Sequence, residues 1–340
     1  MSPTTFFSQA RVLVVTGKGG TGKTTVSGVL ANLAAEEGLR ALVFQIGAPG
    51  ARYEPGTVQL ARLFGSDEVF GYEASVLKSN ANGGTVNARA VTPDTALVEY
   101  LHLHGMRRLS RRLVSSGALD VVATAVPGMP DMLVLGKLKQ MERAAAAGQP
   151  DAPDVVLLDA PAAGHAVRFL QSPRGLLGAT AGGPVRAQAE EVVHMLSDPQ
   201  RCQVVLVTTP EETPVSETVE TAHLLEQRAG VKLLAVVVNG RLPVLSLPPD
   251  PEAAHLGSLA RGFGVRLSRE ELEAMAAAGR LRLQRQEVQA AQVARLEREL
   301  ALPQLELPFC FDADLRPPQL ATLTNALSAA VARPWPTVVP

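Results

Sequence analysis

One run of residues has the types and spacing for phosphate chemistry: Gly17-Lys18-Gly19-Gly20-Thr21-Gly22-Lys23-Thr24-Thr25. It fits G-x-x-x-x-G-K-[ST], follows the apolar stretch Val12-Leu13-Val14-Val15 and precedes an Ala/Leu-rich helical stretch, the setting that spacing requires. Its glycines leave backbone N–H groups to wrap α- and β-phosphates, and the following helix presents its positive N-terminal end. Lys23 is expected between the β- and γ-phosphates of ATP, and Thr24 on Mg²⁺. A second lysine, Lys18, lies inside the loop and cannot easily curl back onto its own nucleotide. Reaching across a two-fold interface to a partner's γ-phosphate, as an arginine finger does, is its natural use.

A second candidate is Asp159, which ends the apolar run Val155-Val156-Leu157-Leu158. A carboxylate there can hold Mg²⁺ through a water. A strand-end Asp is also an ordinary turn cap, and the sequence leaves both readings open.

These groups need a scaffold, and the rest of the chain supplies its pattern. Apolar runs at Val12–Val15, Ala41–Ile46, Val155–Leu158, Val204–Val207, Leu233–Val238 and Leu305–Leu307 alternate with amphipathic stretches. That alternation predicts an α/β fold, a doubly wound and mainly parallel sheet with ligands at the strands' C-terminal ends. An added edge strand is expected near 86–92. Residues 94–150 change to a helical period, with Leu97, Tyr100, Leu101 and His104 on one face and Met132, Leu135, Leu138 and Lys139 on another. With 172–200, where another helix is expected with Gly182-Gly183-Pro184 just before it, they read as a helical insertion subdomain within a single domain spanning 1–340. A largely helical segment is expected over 243–300, a closing helix over 317–332 and a frayed tail over 333–340.

Composition excludes several classes. The 32 basic and 33 acidic residues leave a net charge of −1, which is no footprint for nucleic acid. Cys202 and Cys310 are far apart and form no C-x-x-C pair, which suits a reducing, cytoplasmic setting and excludes a zinc site built on cysteine pairs within one chain. The first residues lack a basic and long apolar leader, and no window reaches about 18 uninterrupted apolar residues, so no membrane insertion is expected.

The pattern K-G-G-x-G-K-[ST] resembles the deviant Walker A class of P-loop ATPases, which includes ParA and MinD positioning ATPases, the nitrogenase iron protein and the ArsA/Get targeting ATPases. The ArsA/Get group is the nearest. Asp159, with His165 six residues on and Gly164 just before it, is similar to its switch II, although Ala160, Pro161 and Ala162 stand at that motif's Thr and Pro positions. The resemblance implies that the Gly164 N–H senses the γ-phosphate. His165 also reads as a helix-capping or core histidine. The stretch Thr208-Thr209-Pro210-Glu211 through Glu217-Thr218 is similar to a family segment as well, and a strand, turn and capped helix account for the same residues. Asn239, after Val236-Val237-Val238, resembles the family's adenine-binding Asn; a side-chain amide offers both donor and acceptor to the base. A plain turn Asn before Gly240 is the other reading. Gly83-Gly84-Thr85-Val86-Asn87, Gly136-Lys137-Leu138-Lys139 and Gly182-Gly183-Pro184-Val185 bring the chain closest to one subunit of the bacterial paired ArsA-like ATPases.

One departure matters. ArsA/Get enzymes end their second strand in Asp-Pro-Ala, whose Asp positions the attacking water, and alignment puts Gly47-Ala48-Pro49 there. Glu54 and Asp67 are near in sequence but out of register. The resemblance therefore implies an ATP-binding, nucleotide-gated homo- or heterodimer, paired with a related ArsA-like subunit, whose hydrolysis is weak or partner-dependent. An unidentified client protein would bind the helical region, where Met106, Met129, Met132 and Met141 fit either promiscuous apolar contact or core packing. A non-catalytic regulatory subunit and a ParA/MinD-type ATPase are the alternatives. The second needs a basic surface, and Arg107, Arg108, Arg111 and Arg112 offer only a local run that a solvated helix face explains.

Overall fold

The computed structural model describes residues 2–47, 55–103, 105–116, 127–245, 248 and 251–335. Eight strands form one sheet in the order β3-β4-β2-β5-β1-β6-β7-β8. They are β1 (Val12–Gly17), β2 (Arg40–Ile46), β3 (Ser75–Ser79), β4 (Thr85–Val91), β5 (Val155–Ala162), β6 (Cys202–Thr208), β7 (Lys232–Arg241) and β8 (Gln304–Pro308). All neighbours are parallel except β3 and β4. The six apolar runs singled out from sequence each fall within one of these strands. Their near-continuous burial reflects helices on both faces, since a parallel sheet leaves neither side to water.

Side chains alternate between the faces with the period of two that a strand imposes. Leu13, Val15, Val43, Leu157 and Val207 point into one buried cluster, which they share with helices α1 (Pro3–Phe7), α2 (Lys23–Glu36), α3 (Pro55–Leu63) and, near the C-terminus, α12 (Pro317–Ala332). Val12, Val14, Phe44, Leu158 and Leu206 point into the other. That face carries α4 (Pro93–Leu103), α6 (Met129–Ala146), α7 (Ala163–Ala179), α8 (Pro184–Ser197), α9 (Glu212–Leu224) and the C-terminal turns of α11 (Arg269–Glu299). Two further helices, α5 (Arg107–Ser116) and α10 (Ala253–Gly262), and a π-helical turn over Leu225–Ala229 complete the described set. The helices expected over 94–150 and 172–200 thus share one continuous core with the sheet. Met132 is part of it, Met129 and Met141 pack against it, and Met106 is exposed. The Arg107, Arg108, Arg111 and Arg112 run lies exposed along α5.

The helix expected after Gly182-Gly183-Pro184 is α8, and the chain ahead of it adds α7, which begins at Ala163, runs through Pro173 and ends at Ala179. Two expectations need correction. The strand near 86–92 is not at the edge: β4 pairs with β2 in parallel from Arg40↔Thr85 to Ile46↔Val91, and β3 takes the edge beside it. The tail does not fray from 333. The Trp335 indole packs edge-on against Phe6 at 5.8 Å and donates to the Val331 carbonyl. The remainder of that tail (336–340), His104, Ala48, Pro49 and Glu54 lie outside the described residues. Among the described residues, no helix is long and apolar enough to cross a membrane.

Candidate functional site

The glycine-rich loop leaves the sheet at its centre. Gly17 ends β1 in register with Val207 of β6 on one side and Ala162 of β5 on the other. A Cβ at Gly17 would lie 1.9 Å from the Val207 carbonyl oxygen, so only glycine lets β1 and β6 run together here. Gly20 and Gly22 take positive φ, +85° and +88°, the left-handed region open to glycine. Gly22 is also the residue before α2, with no side chain capping that helix, so its first N–H groups face the loop.

Short bonds hold the loop's shape. The Thr21 hydroxyl donates to the Lys18 carbonyl at 2.9 Å, and the Lys23 ammonium reaches the same oxygen at 3.2 Å. Burial lowers the Lys23 pKa, against an opposing pull from the Asp159 charge. Gly19 and Gly20 are exposed, and Thr25 is buried, its hydroxyl accepting from the Gln59 amide at 3.4 Å.

Asp159 stands directly across from this turn. Its Oδ2 accepts from the Thr24 hydroxyl at 2.7 Å and from Gln45 Nε2 at 2.8 Å. Burial drives its pKa up, opposed by the bonds from Gln45 and Thr24 and by the Lys23 charge. The contact with Gln45 follows from register: Gln45 of β2 and Asp159 of β5 are cross-strand neighbours, so their side chains rise from the same face.

Asn239, near the end of β7, donates from Nδ2 to the Thr21 carbonyl at 2.9 Å, bracing the loop from the far side. Beside it opens a cavity of about 660 Å³ whose wall includes Gly20, Thr25, Pro210, Asn239 and Phe309. Phe309 and Phe311 meet edge-to-face at 4.9 Å at its rim. The Lys18 ammonium forms an ion pair with Glu217 of α9 at 2.6 Å.

The structure therefore gathers Gly17, Lys18, Gly19, Gly20, Thr21, Gly22, Lys23, Thr24, Thr25, Asp159 and Asn239 at the C-terminal end of the central strands. Gly164 sits in the first turn of α7, two residues past Ala162, the register partner of Gly17. It is exposed, and a Cβ there would touch nothing within 4 Å. His165 is exposed too, with Nδ1 at 3.2 Å from Arg168. Gly47 is buried and its N–H donates to the Val91 carbonyl at 2.9 Å, extending the β2–β4 ladder. Asp67 is spoken for elsewhere, by Arg62 and Arg316.

Sequence reasoning missed Gln45 and the pairing of Lys18 with Glu217. Gln45 left one signal: it is the polar residue in the otherwise apolar run Ala41–Ile46.

The chain resembles known proteins across most of its length. The family model described as anion-transporting ATPase matches residues 10–179. ATPase BagA of Mycobacterium tuberculosis is 32% identical over 253 residues, 74% of this chain and 71% of that protein. The arsenical pump-driving ATPase of Escherichia coli is 28% identical over 262 residues, 71% of this chain but 41% of that longer protein. The protein of the same name from Acidiphilium multivorum is 28% identical over 268 residues, with the same two shares.

Proposed function

Because the chain belongs to the anion-transporting ATPase family and so hydrolyses ATP, we propose that it works as one subunit of a nucleotide-gated dimer of the ArsA/Get type, paired with a related subunit and dependent on it for full turnover. One observation carries this reading: the phosphate-loop groups Lys23, Thr24 and Asp159 converge, while the position aligned with the water-orienting carboxylate is Gly47, with no side chain and its N–H bonded to Val91.

In this reading the loop N–H groups and the Lys23 ammonium receive the β- and γ-phosphates, acting as fixed donors that need no rearrangement as charge develops. Asn239, beside the cavity, takes the adenine edge, and the Gly164 N–H faces the γ-phosphate. Thr24 and Asp159 fit a divalent ion: a buried carboxylate whose charge burial disfavours, facing a hydroxyl, gains from a cation. Among the described residues no group of three or more His, Cys, Asp or Glu could hold a metal, so an ion here keeps a shell of waters and phosphate oxygens, as Mg²⁺ prefers. When bound, Mg²⁺ neutralises charge on the β- and γ-phosphate oxygens.

Lys18 is the residue assigned to the partner's γ-phosphate. That requires release from Glu217, and ATP-bridged closure of the dimer supplies a competing anion.

The test is steady-state ATP turnover by the purified chain alone and mixed with a related subunit from the same source. Binding with weak turnover is expected alone, with a gain on the order of 10²–10⁴ on mixing, the range of general-base contributions. Lys18→Ala should remove much of that gain while leaving ATP binding by this chain intact. Robust turnover by the chain alone, lost in Lys23→Ala, would overturn the dependence on a partner.

A further inference from the structure

Gln45 is 4% exposed, in a strand whose other central positions are Ala, Leu, Val and Phe. Its Nε2 donates to Asp159 Oδ2 at 2.8 Å, while its Oε1 is buried with no hydrogen-bond partner. The ionised Asp159 carboxylate can only accept, which fixes the amide nitrogen toward it and leaves the carbonyl oxygen as the unsatisfied end. Burying an amide oxygen unpaired is unfavourable, and a Leu or Met of similar size would avoid it. The amide is also approached with unusual closeness. A Cβ on Gly56, in the first turn of α3, would lie 3.0 Å from Gln45 Nε2 and 3.8 Å from the Thr24 hydroxyl. Glycine there leaves the side of the amide next to Thr24 uncrowded.

We propose that Gln45 is a positioning residue for the divalent cation, holding Asp159 in place through Nε2 and offering Oε1 to a water of the cation's shell. The inference rests on the nucleotide site proposed above. It assigns to a neutral carboxamide, two residues before Gly47, part of the polar provision that Gly47 cannot make. A purely structural Gln45 would fill its place in the core, and a side chain of the same volume without the amide would leave cation affinity unchanged.

The experiment titrates Mg²⁺ against binding of a fluorescent ATP analogue by the full chain, with a parallel measurement in EDTA. Gln45→Met, which keeps the volume and removes both polar atoms, should raise the half-saturating Mg²⁺ about tenfold and leave binding in EDTA within about twofold, the scale of one lost hydrogen bond to a charged site. Gln45→Glu, which keeps an acceptor and adds a charge beside Asp159, should lower half-saturation by Mn²⁺ at least about threefold, since two adjacent carboxylates demand a cation. A Gln45→Met curve that superimposes on that of the wild type, beside intact nucleotide binding, overturns the inference alone. If Gln45→Met loses binding in EDTA as well, Gln45→Glu decides, and unchanged or weakened Mn²⁺ binding overturns it. A wild-type chain that binds no nucleotide in either condition overturns the site reading and this inference together.

Discussion

Lys23→Ala is expected to weaken ATP binding by this chain on the order of 10²-fold or more, in line with about 2–5 kcal/mol for removing one partner of a buried, hydrogen-bonded charge contact. The ammonium is held at the mouth of the loop by the Lys18 backbone oxygen at 3.2 Å. Partial burial already disfavours its charge, and an anionic ligand restores what burial removes. The lost interaction is therefore with the ligand and not with the fold. Equilibrium binding of a fluorescent ATP analogue in EDTA reads it directly, and the melting temperature should stay within a few degrees of wild type. Binding that survives in Lys23→Ala would remove the loop from the nucleotide site.

The second large effect concerns stability, far from the loop. Glu142 on α6 has a side chain 1% exposed, and it receives Arg11 at 2.7 Å and Arg201 at 2.5 Å. Those arginines precede β1 and β6, so one carboxylate ties a surface helix to the bases of two central strands. Glu142→Ala leaves two guanidinium groups facing each other without their anion; breaking a buried pair costs about 3–5 kcal/mol, and the partial exposure of Arg11 and Arg201 (36% and 15%) puts this one at the low end, about 3 kcal/mol. At roughly 0.7 kcal/mol/K of unfolding entropy for a chain of 340 residues, a fall in melting temperature of about 4 °C is expected. Burial alone would raise the Glu142 pKa, but the bonds and charges of Arg201 and Arg11 outweigh it and hold the carboxyl below its ordinary value. The stability it contributes is thus fully present above the unfolded carboxylate pKa of about 4.3 and disappears as pH falls through the lower folded value. Glu142→Gln should be less stable than wild type at neutral pH, with the gap narrowing in acid. Urea unfolding across pH 7 to about 3.5 checks both the size and the sign.

The central strands were readable because each is a β-branched, both-sides-buried run, and burial on two faces removes any dependence on partners distant in sequence. Asp159 was readable because it ends such a run. β3 was not: Ser75–Ser79 alternates weakly, is partly exposed and carries a register shift between Val76 and Lys78, so its identity as a strand comes from β4. Gln45 was visible as an oddity but not as a neighbour of Asp159, because the register of β2 on β5 is a tertiary fact. The same holds for Lys18 and Glu217, which the loop and α9 bring together only after the sheet is assembled. Trp335 escaped because proline-rich ends read as loose until an aromatic partner such as Phe6 is known.

The ion pair between Lys18 and Glu217 sets how available that lysine is. Its side chains are 32% and 43% exposed, which puts the pair among surface contacts worth up to about 1 kcal/mol, a factor of about five in population. At physiological salt, screening over about 8 Å trims this further. The resting contact is therefore a shallow bias and not a bolt: a sizeable fraction of the molecules carry Lys18 unclaimed at any moment, and the step that withdraws it from Glu217 has no energetic standing to limit a reaction cycle.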